Sequence, residues 1–175
     1  MIILGIDPGS RKTGYAFIDN KADKIVHIHS GFIAVKGEMF PERLGCIFKS
    51  LNELIEEYQP FEMSIENVFM HKNADSALKL GQARGAAICA AMNHNLDVAE
   101  YTAKQVKKAL VGNGAATKQQ VQYLCKQYLN IKKELQEDEA DAIAVAFCHA
   151  QSLASEKRTG LPSAYFKRKT GRARR

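Results

Sequence analysis

Nowhere does the sequence approach the run of roughly 20 apolar residues that a bilayer-spanning helix needs, and no basic segment leads into an apolar stretch at its start. A membrane span and a secretory signal are therefore not expected; a cytoplasmic protein is. Cysteine is sparse. Cys46, Cys89, Cys125 and Cys148 lie far apart and form no C-x-x-C pair, which speaks against a disulfide framework and a thiolate zinc site. Three of them sit beside alanine, valine or leucine in helix-like stretches, where a thiol serves as a small core residue. The five histidines lack the H-E-x-x-H spacing of a helical zinc pair. No internal repeat is present.

What remains is an ordinary globular composition, 46% hydrophobic and 25% charged, in a chain of 175 residues that can bury one proper core. The net charge of +6 is unevenly spread. Residues 156–175 hold eight basic side chains against Glu156 alone, whereas residues 1–155 hold 17 basic and 18 acidic ones. A near-neutral body with a cationic tail suits a polyanionic partner, although a solvated tail that only aids solubility has the same composition.

The run Ile2-Ile3-Leu4-Gly5-Ile6-Asp7 predicts a strand buried on both faces, stopped by Pro8-Gly9. Thr13 to Ile18 and Ile25 to Val35 read as two further strands joined by a polar hairpin connection. Apolar residues from Phe40 to Tyr58 then recur at helical spacing until Pro60. A strand over Phe61 to Glu66, a polar loop, a helix from about Ala74 to Met92 and a strand over Leu96 to Tyr101 follow. Thr102 with Gln105 and Thr117 with Gln120 match capping boxes that start two helices, and a last helix is expected from near Asp138 to about Leu153. The order β-β-β-α-β-α-β-α-α-α predicts an α/β domain with one mixed five-stranded sheet flanked by helices.

Asp7 and Glu66 each end a predicted strand, the edge at which open α/β sheets bind ligands. Asp138 and Asp141 stand one helical turn apart and so share a face. If that helix packs near the first strand, four carboxylates converge. Two unit charges 4 Å apart repel by about 4 kcal/mol at an effective dielectric near 20, so several such pairs call for a hard cation such as Mg²⁺. Two ions could then activate water and stabilise the leaving oxygen of a phosphodiester. Spacing alone leaves alternatives open: Asp7 as a turn residue, Asp138 as a helix cap.

The residues Ile6-Asp7-Pro8-Gly9-Ser10 with Thr13-Gly14-Tyr15, Ile65-Glu66-Asn67-Val68-Phe69, the stretch from Asn73 through Gly81-Gln82-Ala83-Arg84-Gly85, and Asp138-Glu139-Ala140-Asp141-Ala142 closely resemble the crossover junction endodeoxyribonuclease RuvC family. The likeness covers residues 1 to about 153. It implies a ribonuclease-H-like fold, here a nuclease domain over residues 1–155 followed by a basic tail, 156–175, that is expected to be flexible. It further implies an endonuclease that resolves Holliday junctions by paired symmetric nicks in recombination and repair. Such enzymes act as homodimers with Mg²⁺, taken here as two ions per active site with Mn²⁺ able to substitute, and cooperate with RuvA and RuvB. The family's four acidic ligands fall on Asp7, Glu66, Asp138 and Asp141, its loop aromatic on Phe69, and its DNA-contacting basic residues on Lys107 and Lys118. Two departures stand out. Glu139 occupies a place where the family usually has a small residue; on a helix it should point away from Asp138 and Asp141, and it is not counted as a ligand. The basic tail is also longer than the resemblance accounts for.

An aromatic in a polar loop, Phe69, suits stacking on an unpaired base, the alternative being a ring tucked against its own helix. Lys104, Lys107, Lys108 and Lys118 could line a DNA backbone path or form a solvated helix face. The alanines and Gly85 between Ala83 and Ala91 allow close helix approach, within the domain or between two copies. A phosphotransferase of the actin and sugar-kinase type also begins with a strand and an Asp-x-Gly turn, but 175 residues are too few for its two lobes. A junction-binding module without activity would be favoured only by loss of an acid, and all four are present.

Overall fold

In the computed structural model, which describes residues 1–21, 24–67, 73–112, 114 and 116–160, the first apolar run becomes the central strand of a five-stranded sheet. The elements in chain order are β1 (Ile2–Asp7), β2 (Lys12–Asn20), β3 (Ile25–Ala34), α1 (Phe40–Tyr58), β4 (Glu62–Asn67), α2 (Ala74–Asn93), β5 (Asp97–Thr102), α3 (Ala103–Val111), α4 (Lys118–Leu129) and α5 (Glu137–Thr159). The sheet order is β3-β2-β1-β4-β5; β2 pairs antiparallel with β1 and β3, while β4 runs parallel to β1 and β5. The mixed sheet is as the strand and helix order predicts.

Alternation along each strand divides the interior into two cores. Leu4, Ile6, Phe17, Met63 and Ile65 pack with α1 and α2, whereas Ile3, Ala16, Ile18, Ala99 and Tyr101 pack with α3, α4 and α5. With both faces covered, β1 has no solvent side, which explains its unbroken apolar run. Ala83, Ala87, Ala90 and Ala91 of α2 are spent on the domain's own interior, while Leu78, Cys89 and Met92 of the same helix stay exposed. Cys125 and Cys148 are buried core residues. Among the described residues no helix is long and apolar enough to cross a membrane.

Helix α5 departs most from expectation. It continues past Leu153 to Thr159, so residues 156–159 belong to it and not to a separate tail. Its apolar residues fade where it leaves the core, but the sequence there stays permissive of helix. The stop comes from Gly160, whose φ of 67° is the left-handed conformation of a C-cap, with its N–H bonded to the Glu156 carbonyl. Lys157 and Arg158 in the last turn suit the negative end of the helix dipole. Residues 161–175, the rest of the expected tail, lie outside the described residues.

Inside the domain α5 is tied to the sheet by polar groups. His149 is wholly buried; its Nε2 stands 2.8 Å from Glu62 Oε2, and its Nδ1 stands 2.8 Å from the Tyr101 hydroxyl. A proton on Nε2 given to Glu62 leaves Nδ1 to accept from Tyr101, and burial pushes the Tyr101 phenol well above its ordinary range.

Candidate active site

Asp7 closes β1, and the chain behind it turns at Pro8-Gly9. Thr13, fully buried, holds this turn: its hydroxyl donates to the Gly9 carbonyl at 2.9 Å and accepts from the Gly9 N–H at 3.3 Å. Glu66 lies in β4 one residue beyond the pair Ile6–Ile65, so it stands beside Asp7 on the neighbouring strand and on the same face. That face is the one α5 covers.

Two glycines let α5 descend onto it. A Cβ added at Gly5 would stand 2.3 Å from the Ala142 carbonyl oxygen, and one at Gly14 would stand 1.9 Å from that of Asp138. Only a residue without a side chain permits such approach of helix backbone to strand backbone. Gly14 pairs with Asp7 across β1 and β2, so the contact that seats Asp138 lies next to Asp7.

Asp7, Glu66, Asp138 and Asp141 thereby line one cleft of about 340 Å³, together with Lys107 of α3 and Lys118 of α4. Apolar side chains, Leu80, Val106 and Val121 among them, line the same cleft. Burial, and then the charges of Asp141, Glu66 and Asp138, push the Asp7 carboxyl up to about 8, with Lys118 pulling the other way. Glu66 is raised by burial and by Asp141, opposed by Lys107 and Lys118. Asp141 is raised by burial, opposed first by Lys118. Among the described residues, no three histidine, cysteine, aspartate or glutamate side chains already enclose a site that could hold an ion. The carboxylates line the cleft within electrostatic reach of one another.

Of the residues singled out from sequence, the four acids, Lys107 and Lys118 all reach this cleft, while Lys104 and Lys108 do not line it. Phe69 lies outside the described residues. Glu139 turns away from the cleft and is buried, its carboxylate accepting from the Ser30 hydroxyl at 2.7 Å. Glu137, which sequence reasoning misses, also lines the cleft and holds Lys118 in an ion pair. The signal for it is the unbroken acidic run Glu137-Asp138-Glu139, which marks a helix start and three different side-chain directions.

Residues 3–149 match the family described as Crossover junction endodeoxyribonuclease RuvC. A protein of that name from Citrifermentans bemidjiense is 56% identical over 153 residues, covering 87% of this chain and 93% of the relative. Among solved structures, T. thermophilus RuvC in complex with Holliday junction substrate is similar with a TM-score of 0.80 and 31% identity, over 86% of this chain and 93% of that one. The yeast mitochondrial Holliday junction resolvase Ydc2 shares the fold, with a TM-score of 0.65 at 15% identity over 89% of this chain and 82% of its own.

Proposed function

The chain belongs to the crossover junction endodeoxyribonuclease RuvC family, an endonuclease family of ribonuclease-H-like α/β fold, and from that premise we propose that it resolves Holliday junctions by paired symmetric nicks with Mg²⁺ held by Asp7, Glu66, Asp138 and Asp141. The observation that carries this reading is the single cleft shared by four carboxylates and two lysines. Its donor set fits the ion: the acidic lining offers hard oxygen ligands, and no thiol or imidazole appears among the described lining residues. Two ions per site, with Mn²⁺ able to substitute, satisfy the same donors. Mg²⁺, when bound, supplies the Lewis acidity that activates the attacking water and stabilises the leaving oxygen.

The chain's own residues do the rest. Lys107 and Lys118 present ammonium groups to the DNA backbone and orient the scissile phosphate over the acids. Lys118 is held at the cleft by Glu137 and can be shared with a phosphate that approaches. The apolar lining residues Leu80, Val106 and Val121 lower the polarity around the carboxylates, which strengthens the charge interactions among them. Phe69, three residues after Glu66, stacks on a base exposed at the junction centre. Two symmetric nicks require two clefts, which a twofold homodimer provides. RuvA and RuvB are the partners with which it cooperates, and a cytoplasmic location accords with this role.

The test is to incubate the purified protein with a synthetic four-way junction, a linear duplex and an RNA–DNA hybrid, each with and without Mg²⁺. Paired nicks on opposite strands of the junction, only with the metal, are expected. Cleavage without metal, or duplex cut as readily as junction, would overturn the reading.

A further inference from the structure

Within the acidic run that opens α5, Glu137 and Asp138 line the cleft while Glu139 leaves it, buried to 4% exposure. A buried carboxylate is costly unless donors surround it, and this one has three. Its Oε1 accepts from the Ser30 hydroxyl of β3 at 2.7 Å and from the Lys133 ammonium at 2.6 Å, and its Oε2 accepts from the Gln136 N–H at 3.3 Å. Lys133 also donates to the Ser30 carbonyl at 3.2 Å, so strand and loop are gripped together. Ser30 has one proton to give, and Glu139 takes it. The 2.7 Å contact between Ser30 Oγ and His27 Nε2 therefore needs an Nε2–H that donates to the serine oxygen. The polar chain has one direction, from His27 through Ser30 to Glu139, with Lys133 closing it from the other side.

Asp138 precedes Glu139 directly, and Asp141 follows two residues later. A helix turns by about 100° per residue, so holding Glu139 on one side sets the angle at which Asp138 and Asp141 leave the other. The close contacts of Gly14 with the Asp138 carbonyl and of Gly5 with the Ala142 carbonyl fix how deep α5 sits, but both lie on the sheet side of the helix and neither ties its first turn to β3. The Glu139 hydrogen bonds, reaching β3 and the loop before α5, add a polar hold on the turn that carries both acids.

We propose that Glu139 is a positioning residue for the metal-binding acids: the Ser30–Glu139–Lys133 clamp holds the first turn of α5 at the rotation in which Asp138 and Asp141 face Asp7 and Glu66. The proposal rests on the metal assignment above. It is tested by titrating the full-length protein with Mn²⁺ and following free Mn²⁺ by electron paramagnetic resonance, which needs no turnover, beside thermal unfolding of the same samples.

Groups that orient metal ligands typically change affinity by about 10–100-fold when removed. Glu139→Ala is therefore expected to weaken Mn²⁺ binding by about tenfold and to raise the metal concentration needed for cleavage in proportion. Glu139→Gln keeps an acceptor for Ser30, and Ser30→Ala removes one donor. Both should fall between parent and alanine, and both report even if Glu139→Ala does not fold. Variants that unfold earlier yet bind Mn²⁺ as the parent does would overturn the proposal and leave the clamp a stability feature. A parent that binds no Mn²⁺ would instead overturn the metal assignment itself.

Discussion

At Asp7 the fold opposes the ionisation that binding a cation requires. Burial and the three neighbouring acids move its carboxyl from 3.8 to about 8. A carboxyl held above its ordinary value keeps its proton more tightly folded than unfolded. The resulting loss of stability is absent below 3.8, grows as the pH rises, and is complete above about 8. In metal-free buffer, urea unfolding of the parent between about pH 5 and pH 9 should thus show a decline that Asp7→Asn largely escapes. Divalent ion should restore the parent and do little for the variant, whose cleavage collapses. Parallel pH slopes for the two proteins would count against this account. The four acids were legible as candidates because strand ends and helical spacing are local patterns, and the family resemblance singled them out from the alternatives that spacing left open. The partner of Glu139 was not: Ser30 lies 109 residues away, and no local rule brings them together.

Elements supply what single residues do not. The order of strands and helices was legible from apolar periodicity and from the threonine capping boxes, both of which the structure contains at Thr102 and Thr117. Helix α5 was legible only in part. Its extent was expected from near Asp138 to about Leu153, but not that burial runs along it without a break from Ala142 to Ala150. Alanines carry too weak a hydrophobic contrast to reveal a helix covered all round, and a wholly buried His149 looks like a surface residue until Glu62 and Tyr101 are seen beside it. The glycines beneath this helix give a direct test. Gly14→Ala should cost on the order of 1–3 kcal/mol or more in urea unfolding, as overpacking does, and should cut cleavage as Asp138 is displaced. Gly45 of α1 is the control, since a Cβ there meets nothing within 4 Å. Gly45→Ala should be neutral or stabilise by about 0.5–1 kcal/mol. Equal effects at the two positions would refute a special role for Gly14.

At the scale of the whole molecule, the described residues of one chain offer one acidic cleft, lined by the four acids, and the sequence adds a basic C-terminal segment. Light scattering is expected to give twice the chain mass of 19.4 kDa, and a monomer that still nicks both strands in concert would contradict the twofold arrangement. Removing residues 161–175 should flatten the salt dependence of junction binding, by about 0.9 in log–log slope for each phosphate that the segment neutralises, without moving the cleavage position. An unchanged slope would leave the segment in solvent. Neither expectation rests on more than composition and resemblance, because an assembly or a tail contact with DNA would involve surfaces that one chain does not display alone.

The seating of α5 on Gly5 and Gly14 has a mechanical corollary. Main-chain atoms in contact meet a steep repulsive wall, so the helix rests against a hard stop instead of a cushion of side chains. Substitutions elsewhere under α5 can loosen it, but they cannot press its first turn nearer to β1 and β2. The gap between Asp138 and Asp7 therefore has a lower limit set by backbone, which trimming the surrounding alanines, valines and isoleucines cannot reduce.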